Sequence, residues 1–248
     1  MAVFEQQQAN QVLEHQVEER TSALRTVNGE LDTLAYRTAH DIRGPVARLL
    51  GLCQVALMEQ GDPEEAHELL ELIQQEAFEM DIMLHRFLEV NNIKHQKEPD
   101  KYIRVSDMVD DLLRELDHLE GHAAIDFQKN IEPGLQVVTN ETIFRILLKN
   151  LLENAIRFYR KSGSGPNYLR ISGWLDSQGQ MQLKIADNGI GIDPEVEPYI
   201  FNMFYRGTHA STGLGLGLYA ARLAASRLGA SLTYEGNNPE ETEFRIVL

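Results

Sequence analysis

Apolar residues recur at alternating spacings of three and four through the first third of the chain. The first run is Leu13, Val17, Leu24, Val27, Leu31 and Leu34, and Arg20 occupies the one missing position. This spacing is a heptad seam, which predicts a coiled coil and therefore self-association. A charged residue in such a seam costs stability, but it either fixes the register or permits rearrangement.

A second amphipathic helix is predicted after a break at Gln60–Pro63. Its apolar positions are Ala66, Leu70, Ile73, Ala77, Met80, Leu84 and Phe87. Two helices joined by a short turn form an antiparallel hairpin, and two hairpins from a dimer form a four-helix bundle. The first third of the chain is therefore expected to be helical and dimeric.

The pattern changes after a polar segment, Asn91–Lys101, which contains Pro99 and is expected to be a linker. A helix is predicted from Ser106 or Asp107 to about Leu119. The other predicted elements are strands at Ile125–Ile131, Leu135–Val138, Tyr168–Leu175, Met181–Ala186, Ser231–Tyr234 and Thr242–Val247, and helices at Thr142–Tyr159 and Tyr219–Leu228. Helices grouped with a mostly antiparallel sheet predict a two-layer α/β sandwich.

Composition narrows the class of protein. The 248 residues carry a formal charge of −15, which argues against a nucleic-acid-binding role. No apolar stretch reaches the ~20 residues that a membrane span needs, and no secretory signal is apparent. The single cysteine, Cys53, excludes an internal disulfide. We therefore expect a cytoplasmic location for this chain, whether or not the full-length protein is membrane-bound.

The first candidate chemical segment is Ala39–Pro45, near the end of the heptad seam. Propagating the seam places His40 beside it, with its ring facing outward. The neighbouring Asp41 can hold one ring nitrogen as a donor, which leaves the other nitrogen free as a nucleophile. Pro45 removes a helical hydrogen bond, which loosens the helix next to His40.

The second candidate segment is Asn150–Phe158, on the predicted helix Thr142–Tyr159. Asn150 and Asn154 are four residues apart and share a helix face with nearby Arg157. Carboxamide oxygens are hard ligands suited to Mg²⁺ that still carries water and phosphate oxygens.

Two glycine-rich segments complete the set. Asp187–Ile192 directly follows a strand, and its aspartate can accept a hydrogen bond from an exocyclic amine while its glycines let a flat base approach. Thr212–Leu218 opens a helix, where backbone amides bind phosphate.

These segments together resemble the catalytic core of a sensor histidine kinase of a two-component system. The H box of that family resembles His40–Pro45, and its N box resembles Asn150–Phe158. Its two glycine boxes resemble Asp187–Gly191 and Thr212–Leu216, and its F box resembles Phe201–Arg206. The resemblance covers Leu31–Leu248. It implies a multidomain α and α+β protein: a coiled-coil signalling linker over residues 1–30, a dimerisation and histidine-phosphotransfer hairpin over 31–95, and a catalytic ATP-binding domain over 96–248.

The resemblance also implies ATP and Mg²⁺ as cofactors and a role for each site residue. Asp187 would bind the adenine amine beside Gly189 and Gly191, while Asn154 would hold Mg²⁺ with Asn150 nearby. The residues expected near phosphate are Arg157, Arg206, Thr212, Gly213, Leu214, Gly215 and Leu216, and residues 193–212 would form a lid. His40 would attack the γ-phosphate with Asp41 as its base, and the phosphoryl group would pass to an aspartate of a response-regulator receiver domain.

Two other classes of function compete with this interpretation. A gyrase- or Hsp90-like ATP-driven machine would carry a glutamate where this chain has Asn150, so transfer to His40 is favoured over hydrolysis. A non-catalytic dimeric scaffold is disfavoured because Asp187, Asn154 and the second glycine segment are intact.

Overall fold

The computed structural model describes residues 42–58, 63–161, 165–207, 215–236 and 241–248. This chain divides into two compact units, which meet in sequence at Leu84/His85. The coiled-coil seam predicted from Leu13 to Leu34 lies outside the described residues, as do the candidate residues His40 and Asp41.

The first unit is helical, as the apolar spacing predicts. Helix α1 includes residues 42–58, and helix α2 spans Pro63–His95. An ion pair between Arg48 Nε and Glu76 Oε1, 2.7 Å apart, joins the two helices. Large apolar side chains on both helices are exposed, and Leu57, Met58 and Phe78 are 85%, 80% and 65% accessible.

Helix α2 extends further than the sequence pattern suggests. The segment from Asn91 is predicted to be a polar linker, but the helix continues to His95. Val90 and Ile93 are fully buried. Their spacing of three residues continues the apolar face of the helix, which is the physical reason that the prediction was wrong here.

The second unit is built on a five-stranded sheet. Its strands are β2 (Ile125–Ile131), β4 (Asn167–Leu175), β5 (Met181–Asp187), β6 (Ser231–Glu235) and β7 (Thr242–Val247), and their order is β2-β4-β5-β7-β6. The pair β2–β4 is parallel and the other pairs are antiparallel. A separate antiparallel pair joins β1 (Lys101–Arg104) to β3 (Gln136–Thr139). A strand was predicted near β3, but none was predicted at β1.

Three helices complete this unit and confirm a helical region followed by an α/β domain. They are α3 (Val105–Glu115), α4 (Glu141–Arg157) and α5 (Gly217–Arg227). Asn140 caps α4, because its side-chain oxygen accepts from the Ile143 amide at 3.0 Å. The fully buried core includes Phe144, Leu147, Leu148, Leu151, Leu152 and Ile156 of α4 and Leu169, Ile171, Leu183 and Ile246 of the sheet.

Helix α4 is the central element of this core, since it contacts α3, α5 and β5. Within the described ranges, no helix is long and apolar enough to cross a lipid bilayer.

Candidate functional site

Asp187 is a buried carboxylate at the end of strand β5. Only 6% of its surface is accessible, and its Oδ1 accepts a hydrogen bond from the Gly189 amide at 2.9 Å. Burial disfavours the charged form and raises the pKa of Asp187 to about 7, although the Gly189 hydrogen bond favours ionisation. A buried, polar acceptor directly after a strand is suited to read one donor group of a ligand.

The loop after Asp187 is pressed against the end of helix α4. The Ile190 amide donates to the Phe158 carbonyl at 2.9 Å, and Arg160 Nε donates to the Gly189 carbonyl at 2.8 Å. A Cβ atom at position 189 would lie 2.3 Å from the Phe158 oxygen, so only glycine fits there. By contrast, Gly191 has a φ of +78° and open space where a Cβ would stand.

The two asparagines of α4 are in different environments. Asn150 is only 2% accessible, and both ends of its amide are engaged: Nδ2 donates to the Ile146 carbonyl at 2.9 Å, and Oδ1 accepts from Arg86 at 2.9 Å. Asn154 is half-buried, and its side-chain amide makes no hydrogen bond to any residue that the structure describes. Asn154 therefore presents an available oxygen ligand, which suits Mg²⁺.

Helix α5 begins next to Asn150. A Cβ atom at Gly217 would lie 3.4 Å from Asn150 Oδ1, and the preceding residue, Leu216, provides no side-chain cap. The first amide groups of a helix have no partner within the helix, so an uncapped start is a favourable place for phosphate.

The contacts of α4 thus join the predicted segments. The loop at Gly189 rests on the C-terminal end of α4, and the start of α5 rests on its middle at Asn150. Asn150 and Gly217 are 67 residues apart in the sequence, yet both segments contact α4 or its C-terminal end.

The chain is tightly held on both sides of residues 208–214. The Phe204 amide donates to the Gly215 carbonyl at 3.1 Å. Phe204 has a φ of +64°, which is rare for a residue with a side chain, and Gly215 has a φ of +66°. A Cβ at position 215 would lie 2.4 Å from the Tyr205 carbonyl oxygen, so this close approach requires glycine.

Some of the predicted site residues are exposed or lie outside the described residues. Arg157 and Arg206 are exposed. Thr212, Gly213 and Leu214 fall outside the described ranges, together with His40 and Asp41, so their assigned roles stay predictions.

An ion-pair network beside Asn150 was not anticipated from the sequence. Arg86, near the end of α2, pairs with Glu153 and with Glu89, the latter at 2.9 Å. Arg157 Nε donates to the other Glu153 oxygen at 2.8 Å. Burial opposes ionisation of Glu153, but Arg86 and Arg157 outweigh it and lower the pKa of this carboxyl. Arg86 precedes Asn150 by 64 positions, and nothing in the sequence indicates that the two side chains are in contact.

Two family models match the chain. The "His Kinase A (phospho-acceptor) domain" matches residues 30–96, and the "Histidine kinase-, DNA gyrase B-, and HSP90-like ATPase" matches residues 139–248. Together they cover well over half of the chain.

Two curated relatives match most of the chain. The chain is 26% identical over 189 residues to the signal transduction histidine-protein kinase AtoS of Escherichia coli K12, covering 76% of this chain and 30% of AtoS. It is 24% identical over 240 residues to the E. coli K12 aerobic respiration control sensor protein ArcB, covering 91% of this chain and 29% of ArcB. The chain thus spans less than a third of the length of these two relatives.

Solved structures share the fold. The histidine kinase AdeS of Acinetobacter baumannii has a TM-score of 0.61 at 21% identity, covering 84% of this chain and 96% of AdeS. Full-length ShkA in complex with AMPPNP has a TM-score of 0.61 at 18% identity, covering 87% of this chain and 45% of ShkA.

The five-stranded sheet, the buried aspartate at the end of β5 and the glycine-dependent loops define an ATP-binding domain of the histidine kinase, gyrase B and HSP90 class. The match to the phospho-acceptor domain, which precedes the ATPase match in the sequence, narrows the family to which the chain belongs. The chain belongs to the sensor histidine kinases and is a catalytic core of that family.

Proposed function

We propose that this chain binds ATP with Mg²⁺, transfers the γ-phosphoryl group to His40, and passes it to an aspartate of a response-regulator receiver domain. The observation that carries the nucleotide part is the buried carboxylate of Asp187, held beside a loop that tolerates only glycine at position 189. Such a carboxylate is an acceptor for the adenine amine, and the open space at Gly191 leaves room for a flat ring.

Asn154 is the residue best suited to hold Mg²⁺, since its amide has no other hydrogen bond within the described chain. The ion would neutralise charge on the phosphates during transfer. The uncapped start of α5 would receive phosphate oxygens, and exposed Arg157 would add a positive charge near them.

In the transfer step, a ring nitrogen of His40 attacks the γ-phosphorus. An N–P bond forms, the bond between the γ-phosphorus and the β–γ bridging oxygen breaks, and ADP leaves. Asp41 accepts or orients the ring proton, which keeps the attacking nitrogen unprotonated.

We also propose that the working unit is a homodimer. Both helices of the first unit expose large apolar side chains, among them Leu57, Met58 and Phe78. Exposed apolar side chains on both helices of a pair favour burial against a second copy, as in a four-helix bundle.

Incubation of the full chain with γ-labelled ATP and Mg²⁺ tests the proposed reaction. A phosphoramidate on histidine is lost in acid and kept in base, so we expect base-stable, acid-labile label. Chelation of Mg²⁺ should abolish the labelling. Steady release of phosphate without labelled protein would instead support an ATP-driven machine.

ATP binding should depend on pH through Asp187. The adenine amine is a donor, so binding favours the ionised carboxylate, whose pKa in the free protein is about 7. Below pH 7 binding must release a proton, and the dissociation constant should rise by up to roughly tenfold per pH unit. Isothermal titration between pH 5.5 and 8.5, in buffers of different ionisation enthalpy, measures both the affinity and the protons released.

The phosphate groups of ATP also titrate near neutral pH, so Asp187→Asn is the control. This variant should retain only the pH dependence that arises from the nucleotide itself. An equal slope in both proteins would show that Asp187 does not carry the proton.

Phosphatase activity toward the regulator is expected to be weak. Kinases that this chain resembles use a Thr or Asn four residues after the phosphorylated histidine to orient a water, and here that position is Gly44. Gly44 lies in α1, and a Cβ there would lie 3.6 Å from Arg48 Nη1, which is an ordinary contact. Gly44→Thr should therefore fit and increase dephosphorylation.

The measurement uses phosphorylated cognate regulator, purified away from kinase, mixed with the protein and ADP. Gly51 is a second glycine of α1 with open space around it, so Gly51→Thr is the matched control. Rapid loss of phosphate with the wild-type protein would mean that another residue positions the water.

A further inference from the structure

The amide oxygen of Asn150 has two candidate partners. In the structure it accepts from Arg86 Nη1 at 2.9 Å. The family resemblance makes the same oxygen a second candidate ligand for the Mg²⁺ that Asn154 would hold. A guanidinium group and a divalent cation repel each other, so both cannot stand at one amide oxygen in a largely buried site.

Arg86 is firmly held where it is. Its Nη1 also donates to Glu89 at 2.9 Å, its second terminal nitrogen pairs with Glu153, and its side chain is only 19% accessible. Burial disfavours its charge, but Glu153 and Glu89 outweigh that effect and raise the pKa of Arg86, so it stays charged. Charge-assisted hydrogen bonds of this kind are among the stronger ones.

Asn150 cannot evade the contact by turning its amide. Its Nδ2 group donates to the Ile146 carbonyl, and only 2% of the residue is accessible. A flipped amide would place its NH₂ group against the guanidinium and leave two donors facing each other. The amide oxygen of Asn150 therefore stays hydrogen-bonded to Arg86 until that side chain moves.

We propose that Arg86 is a latch that competes with Mg²⁺ for the amide oxygen of Asn150, so that metal loading requires the end of α2 to release α4. This inference rests on the proposed function, since it takes the metal to belong to a bound nucleotide. It makes Arg86 a positioning residue that controls the metal ligand without touching the reacting atoms.

The coupling works in both directions. If Mg²⁺ and Arg86 exclude each other at Asn150, then a change in α2 that withdraws Arg86 raises the affinity for Mg²⁺. By linkage, the binding of Mg²⁺ favours the withdrawal of Arg86 by the same factor. Helix α2 runs without a break from Pro63 to His95, so Arg86 lies on the same helix as the predicted phosphotransfer hairpin.

Arg86→Met removes the latch and preserves the apolar stem of the side chain. The variant should fold, because Glu153 keeps its ion pair with Arg157 at 2.8 Å. Glu89→Gln is a milder variant, which loosens Arg86 from α2 and leaves the residues of α4 untouched. The matched control is Arg114→Met, which removes an exposed arginine whose ion pair with Asp111 and hydrogen bond to the Asp110 carbonyl both lie within α3.

The experiment measures ATP affinity of the full chain by calorimetry over a series of Mg²⁺ concentrations. Arg86→Met should lower the half-saturating Mg²⁺ concentration by roughly tenfold, and Glu89→Gln by roughly two- to threefold. ATP affinity in EDTA should not change, and Arg114→Met should behave as wild type. Adding Asn150→Ala to Arg86→Met should remove the gain, because the competed oxygen is then absent.

An unchanged or higher Mg²⁺ requirement in Arg86→Met would overturn the latch and favour a supporting role for Arg86. Weaker ATP binding in EDTA would overturn it too, by indicating that Arg86 contacts phosphate. A gain that persists with Asn150→Ala would exclude Asn150 as the point of competition. Failure of the proposed function is distinct, since the wild-type protein would then bind no ATP at any Mg²⁺ concentration.

Discussion

His40→Gln is expected to lose all incorporation of phosphate from γ-labelled ATP while it keeps the ATP affinity of the wild-type protein. Glutamine resembles histidine in size and polarity, but its amide nitrogen has no lone pair available for attack on phosphorus. His40 falls within the phospho-acceptor match and the nucleotide residues Asp187 and Asn154 within the separate ATPase match, so binding should not change. Autoradiography of the denatured protein and calorimetric titration with ATP give the two readouts.

His67→Gln is the matched control for that variant. His67 is exposed on helix α2 and pairs with Glu71, one helical turn away. It should label at the wild-type rate. Acid-stable label that persists in His40→Gln would assign the reaction to another residue, and loss of ATP binding in the same variant would show that the substitution disturbs more than the phospho-acceptor.

Most of the α/β unit could be predicted closely, because most of its elements have a strong local signal. Alternation of apolar residues predicts β4 and β5, and the structure places them at Asn167–Leu175 and Met181–Asp187. The three- and four-residue spacing predicts α4, which is capped by Asn140 as its sequence favours.

The elements that were missed depend on long-range contacts. Strand β1 lies in a segment that contains few apolar residues, and it forms because it pairs with β3, about 35 residues later. The end of α2 looks polar in sequence because only Val90 and Ile93 mark its buried face. Local composition records neither the pairing partner of a strand nor the surface that covers a helix end.

The candidate site shows the same division. Asp187 and Gly189 were singled out as candidates because an aspartate that follows a predicted strand can accept from an amine, and because the order and spacing of the four segments resemble a known family. The contact between Arg86 and Asn150 was not predicted, because a charged residue on an amphipathic helix is typical of a solvent-exposed face. The role of Arg86 depends on which helix its side chain contacts, and that contact is a property of the tertiary fold.

Asp187→Asn should weaken ATP binding by roughly a hundredfold. The substitution removes a hydrogen bond to a charged acceptor, whose loss of about 1.5–3 kcal/mol corresponds to roughly ten- to a hundredfold in affinity. The new amide can also direct its NH₂ group toward the adenine amine, so that two donors meet, which favours the upper end of that range. Titration with ATP at pH 8 measures the effect, and Asp126→Asn on the exposed side of β2 controls for the change in charge.

A stability measurement separates this loss of binding from misfolding. The pKa of Asp187 is raised from 3.8 to about 7 in the folded protein, so between these values the native state holds a proton that the unfolded state has lost. Stability should therefore fall as pH rises through this window, and above pH 7 the buried charge is a full cost. Asparagine has no such charge and can still accept from the Gly189 amide.

The free Asp187→Asn protein should then melt at the same temperature as wild type or higher at pH 8, with a flatter pH dependence between 4 and 7. A lower melting temperature at pH 8 would attribute the loss of ATP affinity to a damaged fold, and wild-type affinity in a stable variant would remove Asp187 from adenine recognition.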